Sequence, residues 1–363
     1  MISPPSDFPG PQGRFADAPL LRALRNQPVD RVPVWFMRQA GRSLPEYRAV
    51  RKHASLFEIC QSPELTAQVT AQPVDRLGVD AAVLFSDITI PLAAIGIDLD
   101  IVPNVGPVIA APIRTSSDLR RLKPFEPSQD APALIEGIRL LVKDLKVPLI
   151  GFAGGPFTLA SYLVEGGPSK THARTRALMY AEPKLWHELL SRLADIALAS
   201  LKAQAQAGAS VLQLFESWVG VLDPHSYSRH VLPATKPIFE GLAGLGVPTV
   251  YFGVDTGELL TAMNTAGSDA LGVDWRVPMD AARRRMTPGT AVQGNLDPAA
   301  CLSPWEFVRE QVLTILAQAG PTGHVFNLGH GVLPQTDPDM LARIVDLVHQ
   351  HSSATVAALT AEP

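Results

Sequence analysis

The sequence predicts an α/β fold, a single (β/α)8 TIM barrel with an excursion after strand two. Eight short apolar runs alternate with stretches of helical spacing, which is the element order of such a barrel. The runs are continuously apolar, as is typical of parallel strands in a sheet covered on both faces. With 363 residues, 46% of them hydrophobic, the chain is long and apolar enough to form one large barrel around its own core.

Each predicted strand is a short run rich in Val, Ile, Leu and Phe. In chain order the eight runs are residues 32–37, 81–85, 147–152, 210–215, 248–252, 270–274, 290–295 and 324–328.

The helical stretches between the runs carry recognisable start and stop signals. Ser62 is the expected N-cap of a helix over residues 63–77, with Pro63 at its first position and Gly78 after its end. A long helix is expected over residues 185–206, and a last one opens at Asp337 and runs through residue 348.

Three further segments complete the predicted organisation. Residues 92–120 are too long for a simple strand-to-helix loop and are interpreted as a hairpin-like excursion. Residues 1–19 contain five prolines and are expected to form a flexible leader. The catalytic barrel is assigned to residues 20–350, and residues 351–363 are assigned to a C-terminal tail.

Composition excludes several classes of protein. With 31 Lys and Arg against 35 Asp and Glu, the chain has no global basic footprint, so nucleic-acid binding is not expected. No apolar run is long enough to cross a membrane, and the start lacks the features of a secretory signal. Cys60 and Cys301 are the only cysteines, and we expect both to be reduced thiols in a cytoplasmic protein.

Polar residues follow every predicted strand, at the end where the active sites of (β/α)8 barrels lie. In chain order the residues at these strand ends, polar ones together with their neighbours, are Arg38, Gln39, Ala40, Gly41 and Arg42; Ser86 and Asp87; Gly154, Gly155, Pro156 and Tyr162; Glu216, Ser217 and Trp218; Asp255; Asp274 and Trp275; Asn295 and Asp297; and Asn327, Gly329, His330 and Gly331. This convergence predicts an active-site cleft.

The charged candidates each have a structural alternative. Arg38 and Arg42 suit a fork for carboxylates or phosphates, but they also suit a surface turn with solvated side chains. Asp87 is either a site carboxylate or a helix cap or ion-pair partner.

The remaining candidates also allow two interpretations. The loop around Gly154 and Gly155 matches no phosphate-binding pattern, so a tight turn for close helix packing is favoured. Tyr162 fits core packing or a ligand contact, whereas His330, between two glycines, indicates a site.

Several catalytic chemistries lack their sequence signals. The histidines are dispersed, neither Cys has a metal-ligand spacing, and no nucleophile elbow occurs. No strand-end Lys offers a Schiff-base nucleophile, and no cofactor-binding motif is recognisable, so neither a metal nor a cofactor is expected.

Several longer motifs resemble those of the uroporphyrinogen decarboxylase family. PVWFMRQAGRSLPEYR at residues 33–48 looks like its N-terminal signature, and GFAGGPFTLASYLVEGG at residues 151–167 resembles its second one. LFSDI, LFESW, GVDW, QGNLDP and FNLGHGVLP then follow in the family's order. The resemblance extends from about Leu20 to Val348.

The resemblance implies a single barrel, usually a homodimer, which acts without a cofactor in heme biosynthesis. The implied reaction removes CO₂ from the four acetate side chains of uroporphyrinogen III and gives coproporphyrinogen III. By motif, residues 38–42 (Arg38, Gln39, Ala40, Gly41 and Arg42) would line the substrate site, Asp87 would meet the pyrrole N–H groups, and Tyr162, Ser217 and His330 would contact the substrate's carboxylates or rim. Glu216 stands where many family members carry Asp.

The chemistry of such a reaction agrees with these residues. A protonated pyrrole accepts the electron pair left by CO₂, so no cofactor is required as an electron sink. Asp87 is the expected catalytic carboxylate, because a fixed negative charge stabilises the cationic intermediate. Arg38, or a water that it orients, is the proposed proton donor.

Two alternatives use the same sequence differently. A methyltransferase of the same superfamily would need zinc bound by His and Cys, but no strand end carries an adjacent Cys. A porphyrin carrier without catalytic activity is the other alternative, and Asp87 beside an intact RQAGR motif argues against it.

Overall fold

The computed structural model describes residues 14–41, 43–102 and 105–361, the side chains only as far as residue 353. Predicted leader residues 1–13 therefore lie outside the described part, as do Arg42 and the last two residues.

Seven parallel strands form the central sheet in the order β1-β4-β5-β6-β7-β8-β9, and β2 and β3 form a separate antiparallel pair. Their bounds are β1 Ala82–Val83, β2 Leu99–Val102, β3 Gly106–Ile109, β4 Leu149–Gly154, β5 Val211–Glu216, β6 Thr249–Gly253, β7 Ala270–Gly272, β8 Ala291–Leu296 and β9 His324–Leu328. Each strand of the central sheet lies within two residues of a predicted one, so seven predicted strands are confirmed. The antiparallel pair falls inside the predicted excursion.

The helices surround the sheet. Their bounds are α1 Pro19–Leu24, α2 Pro45–Arg51, α3 Leu56–Gln61, α4 Pro63–Leu77, α5 Ile90–Ala94, α6 Pro127–Asp130, α7 Pro132–Asp144, α8 Pro156–Glu165, α9 Ala173–Ala181, α10 Pro183–Ala207, α11 Pro224–His230, α12 Leu232–Leu242, α13 Leu260–Asn264, α14 Met279–Arg284, α15 Trp305–Ala319 and α16 Pro338–Ala361. Short 3-10 turns lie at Asp118–Arg121, Val219–Val221, Ala243–Leu245, Gly257–Leu259 and Pro298–Leu302. None of the described helices is both long enough and apolar enough to span a membrane.

Local sequence explains the predicted helix starts. Ser62 caps α4 through a hydrogen bond from the Leu65 amide, and Gly78 ends this helix with a φ of 70°. Helix α16 continues past residue 350, where the predicted barrel domain ends, into the predicted C-terminal tail.

The predicted first strand is not a strand in the structure. Its Val34 makes one parallel bridge to Phe326 of β9. A regular ladder is interrupted because Pro33 has no N–H group and the Val34 amide donates to the Asp80 side chain at 2.8 Å. The Val34 carbonyl accepts from the Asp80 amide just before β1, so this segment contacts both edges of the seven-stranded sheet.

The core leaves one end of the sheet available for a site. On the inner face, residues at the starts of the strands, such as Ala81, Ala270 and Ala291, belong to the same buried cluster as Leu20 and Leu21 of α1. Helix α1 therefore covers the amino ends of the strands. The carboxyl ends, with their polar loops, form the opposite side.

Candidate active site

The loop that follows the first predicted strand is fixed by the side chain of Gln39. This fully buried amide donates to the carbonyl of Ala81 at 2.8 Å and accepts from the amide of Phe36 at 2.9 Å. The Gln39 side chain thus joins the loop to the backbone just before β1. Arg38 adopts a left-handed backbone with a φ of 63°, a conformation that costs about 1–3 kcal/mol and that the surrounding contacts must maintain.

The loop after β9 packs directly on Arg38. Any side chain at Gly331 would overlap the arginine, since a Cβ there would lie 2.5 Å from the Arg38 Cδ. The Val332 amide donates to the Met37 carbonyl at 2.9 Å, and the Met37 amide donates to the Asn327 side chain at 3.0 Å. The loop that carries Arg38 and the loop that carries His330 are therefore packed and hydrogen-bonded to each other.

Asp87 is oriented by the turn that precedes α5. Its Oδ1 accepts from the Thr89 amide at 2.9 Å and from the Thr89 hydroxyl at 2.6 Å. The carboxylate is half-buried. Asp87 does not cap α5, because the N-cap position is Thr89 and no side chain caps this helix. Its two hydrogen bonds with Thr89 instead fix the direction of the carboxylate.

The phenol of Tyr162 is affected by the charges of both Arg38 and Asp87. Burial raises the pKa of its phenol well above the ordinary value; the negative charge of Asp87 raises it further, whereas the positive charge of Arg38 lowers it. The three groups therefore lie within electrostatic range of one another, although they come from three different strand ends.

Tyr162 packs in a series with two further aromatic rings, each tilted relative to the next. Its ring centroid lies 4.1 Å from that of Trp218, which lies 4.6 Å from the ring of His172. Ser217 precedes Trp218 directly, so the loop after β5 reaches the same region of the site as Tyr162.

Glu216 is the most deeply buried carboxylate at these strand ends. It has no exposed surface, and it accepts hydrogen bonds from the amides of Phe157 and Thr158 and from the Thr158 hydroxyl. Burial raises the pKa of its carboxyl to about 7, against the opposing effect of these hydrogen bonds.

A charged cluster occupies the ends of β6 and β7. The buried Asp274 pairs with Arg276 at 2.6 Å and also accepts from the amide of Asp255. The Arg276 guanidinium stacks over the Trp275 ring at 4.1 Å. This places Arg276, half-exposed, at the carboxyl end of the sheet in addition to Arg38.

Sequence reasoning missed Arg276 and His172. Arg276 follows the strand-end pair Asp274 and Trp275 by one residue, so its position was a usable signal. The sequence carries no signal for His172, because its contact with Trp218 joins two segments that are distant along the chain. Among the described residues, no group of three or more His, Cys, Asp or Glu side chains is arranged to hold a metal ion.

Of the candidates predicted from sequence, Arg38, Asp87, Ser217 and His330 lie on loops at the carboxyl ends of the strands, and Tyr162 lies on α8. Gln39 and the buried Ala40 belong to the same loop as Arg38. Gly41 is held close under it, with a Cβ there 3.1 Å from the Arg38 carbonyl oxygen. The second predicted arginine, Arg42, lies outside the described residues.

Comparison with known proteins identifies relatives over nearly the whole chain. The sequence model described as uroporphyrinogen decarboxylase (URO-D) matches residues 16–351. A uroporphyrinogen decarboxylase of Streptomyces coelicolor is 58% identical over 93% of this chain and 95% of its own length. One of Salinispora tropica is 55% identical over 94% of this chain and 92% of its own length.

Solved structures show the same fold at low identity. A methyltransferase from Methanosarcina mazei superimposes with a TM-score of 0.73 and 19% identity, over 92% of this chain and 98% of its own. A B12-independent methionine synthase from a Shewanella species has a TM-score of 0.55 and 13% identity, over 85% of this chain and 92% of its own. At such identities the likeness concerns the fold alone.

Proposed function

We propose that this chain, which belongs to the uroporphyrinogen decarboxylase family, is a carboxy-lyase that decarboxylates uroporphyrinogen. The family match over residues 16–351 carries this conclusion. The shared environment of Arg38, Asp87 and Tyr162 supports it independently, because it supplies charged and polar groups suited to a polycarboxylate with pyrrole N–H donors.

The proposed reaction starts with protonation of a pyrrole carbon next to the one that bears an acetate. The ring becomes cationic, and the bond between the acetate methylene and its carboxylate then breaks. Its electron pair neutralises the ring as CO₂ leaves, and a second proton converts the methylene carbon into a methyl group. The ring carbon then releases the first proton and the pyrrole is restored, so that one net proton is taken up for each CO₂ released. The ring itself is the electron sink, which agrees with the expectation that no cofactor is needed.

Asp87 is proposed to stabilise the cationic ring. Thr89 holds one carboxylate oxygen in place, so the negative charge is fixed before the cation forms and little reorganisation is needed. The same carboxylate would accept hydrogen bonds from the pyrrole N–H groups. Arg38, or a water bound to it, is the proposed source of the proton.

The other site residues are proposed to hold the rim of the substrate. Arg38 and Arg42 would pair with its carboxylates, and Gln39, Ala40 and Gly41 would shape the loop between them. Tyr162, Ser217 and His330 would contact further carboxylates or the macrocycle edge.

The finer features of the architecture are also part of the proposal. The Val34 segment would fill the place of the eighth strand and close the sheet into a barrel, because it contacts both sheet edges. Residues 92–120 would be an excursion from this barrel, and residues 20–350 would form the catalytic domain. We propose that the enzyme acts as a cytoplasmic homodimer.

The proposed function is tested by anaerobic incubation of the purified protein with reduced uroporphyrinogen. The products are oxidised and separated by their number of carboxylates. Species with seven, six, five and four carboxylates are expected in succession without added cofactor. Recovery of only the eight-carboxylate starting material would overturn the proposal.

A further inference from the structure

We propose that Glu216 is a positioning residue, which fixes the start of α8 against β5 and thereby sets Tyr162 relative to Ser217 in the substrate site. The inference rests on the proposed decarboxylase function, since it assigns the two aligned groups to that substrate. Glu216 itself would not touch the substrate, because it has no exposed surface.

The carboxylate of Glu216 caps a helix that belongs to another segment of the chain. Its Oε1 accepts from the Thr158 amide and the Thr158 hydroxyl, both at 2.6 Å, and its Oε2 accepts from the Phe157 amide at 3.2 Å. Phe157 and Thr158 lie in the first turn of α8, whose amides have no partner within the helix. A negative charge at this end is also favoured by the helix dipole.

The sequence leaves room for this carboxylate. The N-cap residue of α8 is Gly155, which has no side chain and so cannot cap the helix itself. A Cβ at Gly155 would collide with the carboxylate oxygens of Glu216. The Gly155 amide donates to the Phe215 carbonyl at 2.7 Å, so the backbone of β5 and the start of α8 are joined on both sides of Glu216.

A short series of contacts leads from Glu216 to the two site residues. The Thr158 hydroxyl, which donates to Glu216, accepts from the Trp218 amide at 3.3 Å. The Trp218 ring packs on Tyr162 at 4.1 Å. Ser217 lies between Glu216 and Trp218, while Thr158 and Tyr162 are four residues apart on one face of α8.

The hydrogen-bond partners of Glu216 favour its ionised form and so oppose the effect of burial on its pKa. All three hydrogen-bond partners are donors, so the ionised carboxylate satisfies each of them. A proton on Oε2 would face the Phe157 amide and remove that contact. The phenols of Tyr227 on α11 and Tyr251 on β6 are also close enough to respond to its charge, and burial keeps the pKa of both well above the ordinary value.

The test is the variant Glu216→Gln, which keeps the size of the side chain but places an amide donor opposite the Phe157 amide. We expect kcat/KM for uroporphyrinogen to fall between about tenfold and a hundredfold, since small misplacements of site groups have effects of this size. The Thr158 and Trp218 amides should exchange with solvent at least tenfold faster than in the wild type. Asp269→Asn is the matched control, because its carboxylate also accepts from a threonine amide and hydroxyl, those of Thr249, but at the amino end of β6, where the site does not lie.

The inference is overturned if Glu216→Gln keeps kcat/KM within twofold of the wild type, or if the two amides exchange at unchanged rates. Should this variant fail to fold, Thr158→Val removes only the linking hydroxyl and should lower kcat/KM severalfold, whereas Thr158→Ser should retain it. Equal activity of the Val and Ser variants would contradict the inference. Wild-type protein without turnover would instead refute the proposed function, and the exchange rates would still report on Glu216.

Discussion

At the scale of single residues, Asp87 combines a structural and a proposed catalytic role. Its position after a buried strand is visible in the sequence, and so is the alternative that it caps the next helix or pairs with an arginine. In the structure Asp87 makes local hydrogen bonds with Thr89 and does not cap α5. A local hydrogen bond of this kind orients the carboxylate and leaves its negative charge in place, so the two roles are compatible.

Asp87→Asn removes the charge and keeps the shape. The amide oxygen can still accept from Thr89, so the fold should stay intact, with an unchanged circular dichroism spectrum. We expect kcat to fall below a tenth of the wild-type value, a loss of more than about 1.4 kcal/mol of transition-state stabilisation. A folded variant that retains more than this activity would contradict the role assigned to Asp87.

Residues joined by tertiary contacts were beyond the reach of sequence reasoning. Glu216 stands at a predicted strand end, but the sequence does not reveal its contacts, because its partners Phe157 and Thr158 lie almost sixty residues earlier in the chain. The same holds for Gln39, an expected substrate contact whose side chain bonds the backbone of Ala81. Side-chain partners at this separation are set by the assembled sheet.

At the scale of elements, local signals predicted most of the architecture. Continuous apolar runs gave seven strands of the central sheet, because parallel strands are buried on both faces. The first predicted strand has the same apolar pattern but lacks the ladder, since the amide of Val34 bonds to Asp80. Apolar periodicity reports burial, whereas strand pairing also depends on where each amide finds its acceptor.

The predicted N-cap of α4, Ser62, can be tested by measuring its contribution to stability. Ser62→Ala removes the acceptor for the Leu65 amide and should lower the free energy of unfolding by about 1 kcal/mol. Ser62→Asp keeps an acceptor and is the matched control, with stability close to that of the wild type. Chemical denaturation of the three proteins measures the difference. Equal stability of the Ala and Asp variants would show that the cap contributes nothing.

At the scale of the whole molecule, Asp80 joins three distant parts of the chain. Its carboxylate accepts from the Val34 amide at 2.8 Å, pairs with Arg31 at 2.8 Å and contacts His349 of α16 at 2.7 Å. The Ser352 hydroxyl of the same helix accepts from the Val32 amide at 3.0 Å. Helix α16 is therefore anchored to the segment that lies between the two edges of the sheet.

This anchor should make stability depend on pH in the acid range. Burial raises the pKa of Asp80, but the hydrogen bonds from His349, Arg31 and Val34 outweigh it, so its pKa in the folded protein is below the ordinary value. The folded state therefore binds this proton less readily than the unfolded state. The contribution of Asp80 is complete above the unfolded carboxyl pKa of about 3.9 and is lost as the pH falls through the lower folded value.

Asp80→Asn should accordingly lower the free energy of unfolding at pH 7 by about 3 kcal/mol, because it breaks a buried charge cluster. The difference from the wild type should shrink below about pH 4, where the unfolded wild-type protein begins to take up a proton at Asp80 while the folded protein does not. Asp339→Asn, which breaks an exposed pair with Arg76, is the control and should cost less than about 1 kcal/mol. A difference that stays constant down to pH 3 would contradict this account.

The central claim is most directly tested by following the label of each carboxylate. Wild-type protein is given reduced uroporphyrinogen III carrying isotope in its acetate carboxyl groups, under anaerobic conditions and without added cofactor. We expect all of this label to appear as CO₂, four molecules per substrate, and none to be released from a matched substrate labelled in its propionate carboxyl groups. Retention of the acetate label, or release of the propionate label, would contradict the account.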